Sequence, residues 1–236
     1  MSGFTAILRK ELREYFAAPI APVLLAAFWA LTGYFSSFNL FIVNAVHMVT
    51  SFHNMSLLLL LLMPLMTMRT FAEENKSGTF ELLMTLPLTE VQIVLGKYAA
   101  AAIVLLLMLA GTATAVVPLV LFGQPDLGPV LGGYMGIALL GSAFAAIGLF
   151  VSSMCTNQIV AAAITWAVLL GLWFADYAAN IGWMPELGPV FRHLSFSVHY
   201  IDLIRGVFSN AALAYFGSIV VVSLVATIVV LRERRL

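Results

Sequence analysis

The architecture is set by residues 56–111, SLLLLLLMPLMTMRTFAEENKSGTFELLMTLPLTEVQIVLGKYAAAAIVLLLMLAG, in which two strongly apolar runs enclose a charged segment. A helix needs about 20 mostly apolar residues to cross the hydrocarbon core of a bilayer, and each run belongs to a stretch of about that length. The enclosed segment, residues 69–97, carries seven of the 22 charged side chains of the chain. The pattern predicts two membrane spans joined by a sizeable loop in water.

The composition of all 236 residues extends this interpretation to the rest of the chain. Hydrophobic residues make up 62% and charged residues 9%, against about 45–50% and about 25% in soluble domains. These values exclude both a water-soluble fold and a disordered chain. Eleven basic residues balance eleven acidic ones, so no nucleic-acid partner is expected. The sequence therefore predicts an all-α integral membrane protein.

Six membrane spans are predicted, within a single domain of residues 1–236. The spans cover residues 20–41, 50–68, 98–122, 130–152, 158–176 and 211–231. Nine of the eleven Lys and Arg residues then lie in segments 1–19, 69–97, 153–157 and 232–236. Because Lys and Arg concentrate on the cytoplasmic side, we expect a multi-pass protein of the cell (inner) membrane with both termini in the cytoplasm.

Residues 4–18 precede the first span and are predicted to form an amphipathic helix that lies on the membrane surface. At helical spacing, the apolar side chains share one face and most charged side chains the other, whereas Glu11 falls on the apolar face. Acidic residues among the basic ones favour an uncleaved anchor over the alternative, a secretory signal.

Local signals divide the charged loop into short elements. Capping boxes are predicted at Thr70–Glu73 and Thr89–Gln92, a turn at residues 75–78 and a helix end at Leu86–Pro87. The expected order is helix, turn, short helix, break and span. Six large apolar residues are too many for a loop in water, so they are expected to bury in a partner or in the protein's own cytoplasmic mouth.

The largest predicted extracytoplasmic segment, residues 177–210, is expected to form short helices that rest on the outer leaflet or re-enter it. His193 and His199 raise the question of a metal site. On one continuous helix their side chains would point in different directions, so no metal-binding residue is predicted.

In the fourth span, Gly132 and Gly136 predict a close contact between helices.

Almost no ionisable side chain lies inside the predicted spans, although ion-coupled transporters normally keep such groups on their pathways. A nucleotide-binding phosphate loop is also missing, since Gly96–Lys97 lacks both the upstream glycine and the following hydroxyl. We therefore expect no catalytic residue and no cofactor bound by this chain. Any energy for its work has to come from another polypeptide.

The loop and the late stretch 197–216 resemble a known family. The loop motif consists of Glu73–Glu74, Ser77–Gly78–Thr79, Glu81–Leu82–Leu83, Thr85-x-Pro87 and Val94–Leu95–Gly96–Lys97, and the late stretch reads SVHYIDLIRGVFSNAALAYF. With the amphipathic helix and six spans, these motifs resemble permease subunits of type-2 ABC exporters. The gliding-motility-associated GldF-type branch is similar, and the NosY-type permeases of copper-enzyme maturation are more distantly so.

This resemblance implies that the loop contains a coupling helix, which docks into a groove of a cytoplasmic ABC ATPase. Two ATPase chains, which bind ATP and Mg²⁺, and two permease chains make the implied working unit. The second permease is either another copy or a paralogue, and an extracytoplasmic accessory protein is a further candidate partner. Carried over by motif, the ATPase-facing residues are Glu73, Glu74, Gly78, Thr79, Glu81, Leu82 and Leu83.

Three functions stay open at this point. The leading one is a permease subunit that exports or extracts an unidentified substrate. The second is a mechanotransmitting permease, which remodels an extracytoplasmic partner while nothing crosses the membrane. The third is an ATP-independent structural anchor of a surface or motility machine. A passive channel is least favoured, because no span shows a continuous polar stripe.

Overall fold

The computed structural model describes residues 3–41, 49–115, 127–181, 185–207 and 209–235. Throughout this part of the chain, every regular element is helical, which confirms the all-α class. The helices are α1 (Gly3–Ala17), α2 (Ile20–Phe41), α3 (Val49–Thr67), α4 (Arg69–Ser77), α5 (Thr79–Thr85), α6 (Glu90–Thr112), α7 (Leu127–Met154), α8 (Gln158–Trp173), α9 (Ala175–Asn180), α10 (Gly188–Leu194), α11 (Phe196–Ile204) and α12 (Asn210–Arg235). Two 3₁₀ turns cover Ala113–Ala115 and Pro185–Leu187.

Five helical segments of the described chain are long and apolar enough to cross a membrane. They belong to α2, α3 with α4, α6, α7 and α12. The predicted fifth span corresponds to α8, whose 16 residues extend only about 24 Å. The helix of the third predicted span, 98–122, begins at Glu90 instead, and residues 116–122 of this span lie outside the described part.

The central helix of the bundle is α7, which packs against α3, α6, α8, α11 and α12. Small residues allow this crowding, because neighbouring side chains occupy the space where a Cβ would lie. Gly141 lies against the side chain of Leu105 on α6, and Gly148 against Thr67 on α3. Both neighbours are buried, so the bundle is closely packed along α7.

The two ends of the bundle differ. One end, called the hairpin end, holds α1 and the hairpin α4–α5 (Arg69–Thr85), the start of α6 and the end of α7. The last turns of α12 reach the same end, where the Arg234 guanidinium donates a hydrogen bond of 3.4 Å to the Met154 carbonyl oxygen. The other end, called the far end, holds α9, α10 and α11. The segments predicted to share the cytoplasmic side therefore lie at one end of the bundle.

At the hairpin end, α1 forms a helix as expected, but protein covers much of its apolar face. It packs along the first turns of α6, where Gly96 lies against Ile7 and the Phe4 carbonyl oxygen. Ile7 is buried, whereas Phe16 is 46% exposed. The helix thus rests on the bundle, and its position on the membrane surface stays a prediction.

The far end is closed by short helices and aromatic rings. The Tyr200 hydroxyl of α11 donates a hydrogen bond of 2.8 Å to the Phe52 carbonyl oxygen of α3. Phe196 stacks on Phe216, with ring centroids 6.1 Å apart. Short helices in this segment were expected from the sequence, and α10 and α11 confirm them over Gly188–Ile204.

Gly132 and Gly136 of α7 lie against α11. A Cβ added at Gly132 would collide with the Leu203 carbonyl oxygen, and one added at Gly136 would lie 3.0 Å from the Leu203 Cβ. The chain leaves α11 through Gly206, whose φ of +81° requires a left-handed conformation that favours glycine. These three glycines let α11 sit directly on α7.

The expected divergence of His193 and His199 is wrong. The chain breaks at Ser195, so the two residues lie on separate helices and their ring centroids approach to 5.7 Å. His199 also stacks on Tyr215 of α12 at 3.9 Å. Among the described residues, no three His, Cys, Asp or Glu side chains come together as metal ligands would.

Candidate coupling site

The hairpin has the predicted order of elements. α4 continues α3 almost without interruption, since the Met68 amide donates to the Pro64 carbonyl oxygen at 2.9 Å. Gly78, with φ +71°, ends α4 and begins α5. Leu86 has an extended conformation, and the predicted Thr89–Gln92 capping box then starts α6.

The predicted capping box at Thr70–Glu73 is wrong. Thr70 lies inside α4, where its hydroxyl donates to the Thr67 carbonyl oxygen at 2.9 Å. Glu73 instead accepts two hydrogen bonds from Arg69. The Phe71 and Ala72 amides in the first turn of α4 donate instead to the Ser152 hydroxyl, so no side chain of α4 serves as their cap.

The apolar inner face of the hairpin packs into the protein itself. Phe71, Phe80 and Leu83 are buried in one cluster with Ile93 and Val94 of α6. Of the two expectations for these residues, burial in the protein's own mouth is therefore the one observed. The burial of Leu83 removes it from the surface that a partner could contact, and the side chain of Leu82 lies outside the described part of the structure.

A cluster of buried charges joins the hairpin to α1 and α6. The Lys97 ammonium, on a side chain only 1% exposed, lies 2.7 Å from the Glu11 carboxylate and 3.0 Å from that of Glu74. It also donates to the Thr70 carbonyl oxygen at 2.7 Å. Lys10 binds the other Glu74 oxygen at 2.7 Å. We call Lys10, Glu11, Glu74 and Lys97 the ionic cluster.

Burial makes the members of the ionic cluster depend on one another. Burial raises the pKa of the Glu11 carboxyl, and the charge and hydrogen bond of Lys97 oppose this shift only in part. Burial alone would lower the pKa of Lys10, but the hydrogen bond and charge of Glu74 outweigh it and raise the pKa. A buried charge without its partner is strongly unfavourable, so the cluster holds α1, α4 and α6 in one arrangement. Glu74 is thus occupied inside the protein and does not face a partner.

A second, uncharged attachment holds α4 to α7. The Ser152 hydroxyl accepts hydrogen bonds from the Phe71 and Ala72 amides, both at 3.1 Å, and donates to the Met68 carbonyl oxygen at 3.0 Å. One turn further along α4, the Asn75 amide donates to the Cys155 carbonyl oxygen at 2.9 Å. The base of the hairpin is therefore fixed on two sides.

A cleft of about 600 Å³ separates α1 from the α3–α4 junction. It is lined by small and apolar side chains, including Ala21 and Met66, and by charged ones, including Glu14 and Glu73. Members of the ionic cluster also line the cleft, and its lining extends to Thr79 on the hairpin.

The tip and outer face of the hairpin are exposed. Gly78, Thr79 and Glu81, all in the predicted ATPase-facing set, are exposed, and Glu73 is half-exposed beside Arg69. Leu86 is 48% exposed although it is large and apolar. Four members of the predicted set and Leu86 are therefore accessible from outside the protein, whereas Glu74 and Leu83 are buried.

Sequence reasoning missed the residues that hold the hairpin. Glu11 and Lys97 are 86 positions apart and Ser152 is farther along the chain, so no local pattern joins them. One signal was present: Glu11 stands on an otherwise apolar helix face. A carboxylate in that position requires a buried cation, and Lys97 begins a long apolar run.

Comparison with known proteins addresses the family of the chain. Among curated proteins, none matches this sequence. One family model matches residues 13–177, well over half of the chain, and its description is ABC-2 family transporter protein. The matched region includes the whole hairpin, Lys97 and Ser152. The chain belongs to the ABC-2 family of transporter proteins.

Proposed function

We propose that this chain is the membrane permease subunit of an ATP-binding-cassette transporter, which couples ATP hydrolysis on a separate cytoplasmic ATPase to export or extraction of an unidentified substrate. Membership of the ABC-2 family and five apolar helices of spanning length support this proposal. In it, the chain is a single non-catalytic domain, and a dimer of ATPase chains binds ATP and Mg²⁺. A second permease, either another copy or a paralogue of the GldF-like type, completes the unit.

The proposal places the hairpin end in the cytoplasm of a cell with an inner membrane. Basic residues of α1, the hairpin and the last turns of α12, among them Lys10, Lys76 and Arg234, belong to this one end. Lys and Arg are enriched on the cytoplasmic side of membrane proteins. Their distribution therefore supports an arrangement with both termini in the cytoplasm, where the ATPase acts.

The exposed tip of the hairpin carries the proposal. The hairpin is buried on its inner face and exposed on its outer face, which is the geometry of an element that another protein contacts. Glu73 and Glu81 supply negative charge, Gly78 and Thr79 form the turn, and Leu86 supplies an exposed apolar side chain. Interfaces combine such charges, which guide association, with a few apolar anchors that fill pockets. In this proposal the exposed Leu86, and not the buried Leu83, is the apolar anchor of the hairpin.

The experiment is recovery of the tagged chain from its native membrane in mild detergent, followed by an ATPase assay of the eluate. Wild type should recover an ATPase. The eluate of the double variant Glu81→Lys/Leu86→Ser should contain at least about tenfold less ATPase activity. The matched control is Glu186→Lys, which makes the same charge change at an exposed residue of the far end and should leave recovery unchanged. Wild type that recovers no ATPase would refute the proposal and favour the ATP-independent anchor.

A further inference from the structure

The covalent connections of the hairpin to its two flanking spans differ. On one side, α3 and α4 form an almost continuous helix over Val49–Ser77, so a force on the hairpin acts directly on α3. On the other side, the chain passes from α5 to α6 through Leu86–Thr89, with extended backbone at both ends of this segment. Such a short extended connection, interrupted by Pro87, lacks the hydrogen bonds that make a helix stiff. A force on the hairpin therefore needs another route to α6.

The ionic cluster supplies such a route, alongside the apolar packing of Phe80 and Leu83 against Ile93 and Val94 of α6. Lys97 lies in the second turn of α6, past the break, and its ammonium binds Glu74 and the Thr70 carbonyl oxygen of α4. The same ammonium binds Glu11 of α1. One buried cation thus joins three helices that the chain itself connects only loosely. A lysine ammonium suits this task because it has three donors on a compact charge.

We propose that Lys97 is a positioning residue, which carries movement of the hairpin to α6 and makes α1 part of the same moving unit. The inference rests on the proposed function, in which an ATPase moves the hairpin. Because movement of Lys97 away from both Glu11 and Glu74 would leave a buried ammonium and the buried Glu11 carboxylate uncompensated, α1, α4 and the first turns of α6 move together rather than slide past one another. The cytoplasmic helix α1 is then a working part of the coupling device as well as a membrane anchor.

The contact of α4 with α7 has a different role in this proposal. Ser152 binds backbone groups at the first turn of α4, between Met68 and Ala72, and therefore fixes the base about which the hairpin turns. It involves no charge and no atom of α1 or α6. Ser152→Ala is thus a matched variant, because it removes a buried attachment of the same helix without touching the ionic cluster.

The test uses the complex of this chain with its ATPase, reconstituted in lipid nanodiscs, and measures kcat and KM for ATP against the ATPase alone. The main variant is Lys97→Met/Glu11→Gln/Glu74→Gln, which removes charge from three members of the cluster while roughly keeping their shape. This variant should insert into the membrane and still bind the ATPase. The change in kcat that the permease causes should be at least about fivefold smaller than with wild type, and KM should be unchanged. Ser152→Ala should retain the wild-type change in kcat.

Two outcomes would overturn the inference: full retention of the kcat change in the triple variant, or an equal loss in Ser152→Ala. Glu11→Gln alone keeps the Lys97–Glu74 pair and provides a second test should the triple variant fail to fold. It should reduce the kcat change, because it removes the charged contact of α1 with Lys97, although Lys10 still binds Glu74. A kcat change equal to that of wild type would exclude the Glu11–Lys97 contact from the coupling. Wild type without a bound ATPase would refute the proposed function itself, which distinguishes the two failures.

Discussion

The two ends of the bundle are held together by different forces. At the hairpin end, α1, α4 and α6 meet around a buried ammonium and two buried carboxylates. At the far end, α3, α7, α11 and α12 meet through aromatic rings, glycines and neutral hydrogen bonds. Neutral contacts tolerate small displacements, whereas a buried ion pair is stable only while all its members are present. The difference indicates that the hairpin end is built to keep one arrangement of helices, and the far end to close the bundle.

The comparison predicts its largest effect at Lys97. Lys97→Met should lower the free energy of unfolding by about 3–5 kcal/mol, because the buried Glu11 carboxylate loses its close cation and Glu74 keeps only Lys10. Denaturant unfolding in detergent micelles measures the change. Thr112→Val, which removes a buried hydroxyl of the same helix near Tyr134 at the far end, should lose only about 1 kcal/mol. Equal losses in the two variants would erase the distinction between the ends.

A smaller effect is expected where α7 touches α11. Gly132→Ala should lower the free energy of unfolding by about 1–3 kcal/mol, because the new methyl group meets backbone that cannot easily move. Gly171→Ala on α8 is the matched control, since nothing lies within 4 Å of its Cβ position. That variant should be neutral or stabilising by up to about 1 kcal/mol. The melting temperatures of the two variants in detergent provide the comparison. Similar changes in melting temperature would show that close packing at Gly132 does not stabilise the far end.

The smallest effect concerns pH and sharpens the description of the ionic cluster. Since the pKa of Glu11 is raised in the folded protein, the folded state holds this proton more tightly than the unfolded state does. The contribution of Glu11 to stability is therefore greatest below its unfolded pKa of about 4.3, and it decreases as pH rises through the folded pKa. The difference in unfolding free energy between wild type and Glu11→Gln should fall from about pH 4 upward. The control is Thr112→Val, which changes no ionisable group, so its difference in unfolding free energy from wild type should not vary with pH. If the difference for Glu11→Gln were also independent of pH, it would contradict the raised pKa of Glu11.

What could be predicted from the sequence was local. Thr89, Gln92 and Gly78 act through their own backbone neighbourhood, so the order of elements in the hairpin followed from residue types and spacing. The pairing of Glu11 with Lys97 depends on the tertiary fold, and a pattern read along one helix cannot supply it. The same limit applied to Leu83, whose apolar character demanded burial without showing whether the protein itself or a partner would cover it.

Continuity of a helix was the other weak point of the sequence interpretation. The divergence of His193 and His199 was argued for one continuous helix, but a break at Ser195 brings their rings together. Thr70 was placed at a helix start, yet α3 passes through Met68 with only a slight interruption. Helix ends shift when tertiary contacts such as those of Ser152 satisfy backbone groups, and single-sequence signals carry no information about such contacts.

The length of α8 has a consequence for the lipid around the protein. Its 16 residues extend about 24 Å, some 6 Å less than the hydrocarbon thickness of an average bilayer. Several of its apolar side chains are exposed, among them Ile159 at 76% and Val160 at 46%, so lipid tails or a second permease chain are expected to cover them. Beside an apolar helix that is shorter than the hydrocarbon core, the two leaflets draw closer, at a cost of a fraction of a kcal/mol for each ångström. Wherever lipid borders α8, we therefore expect a locally thinner bilayer.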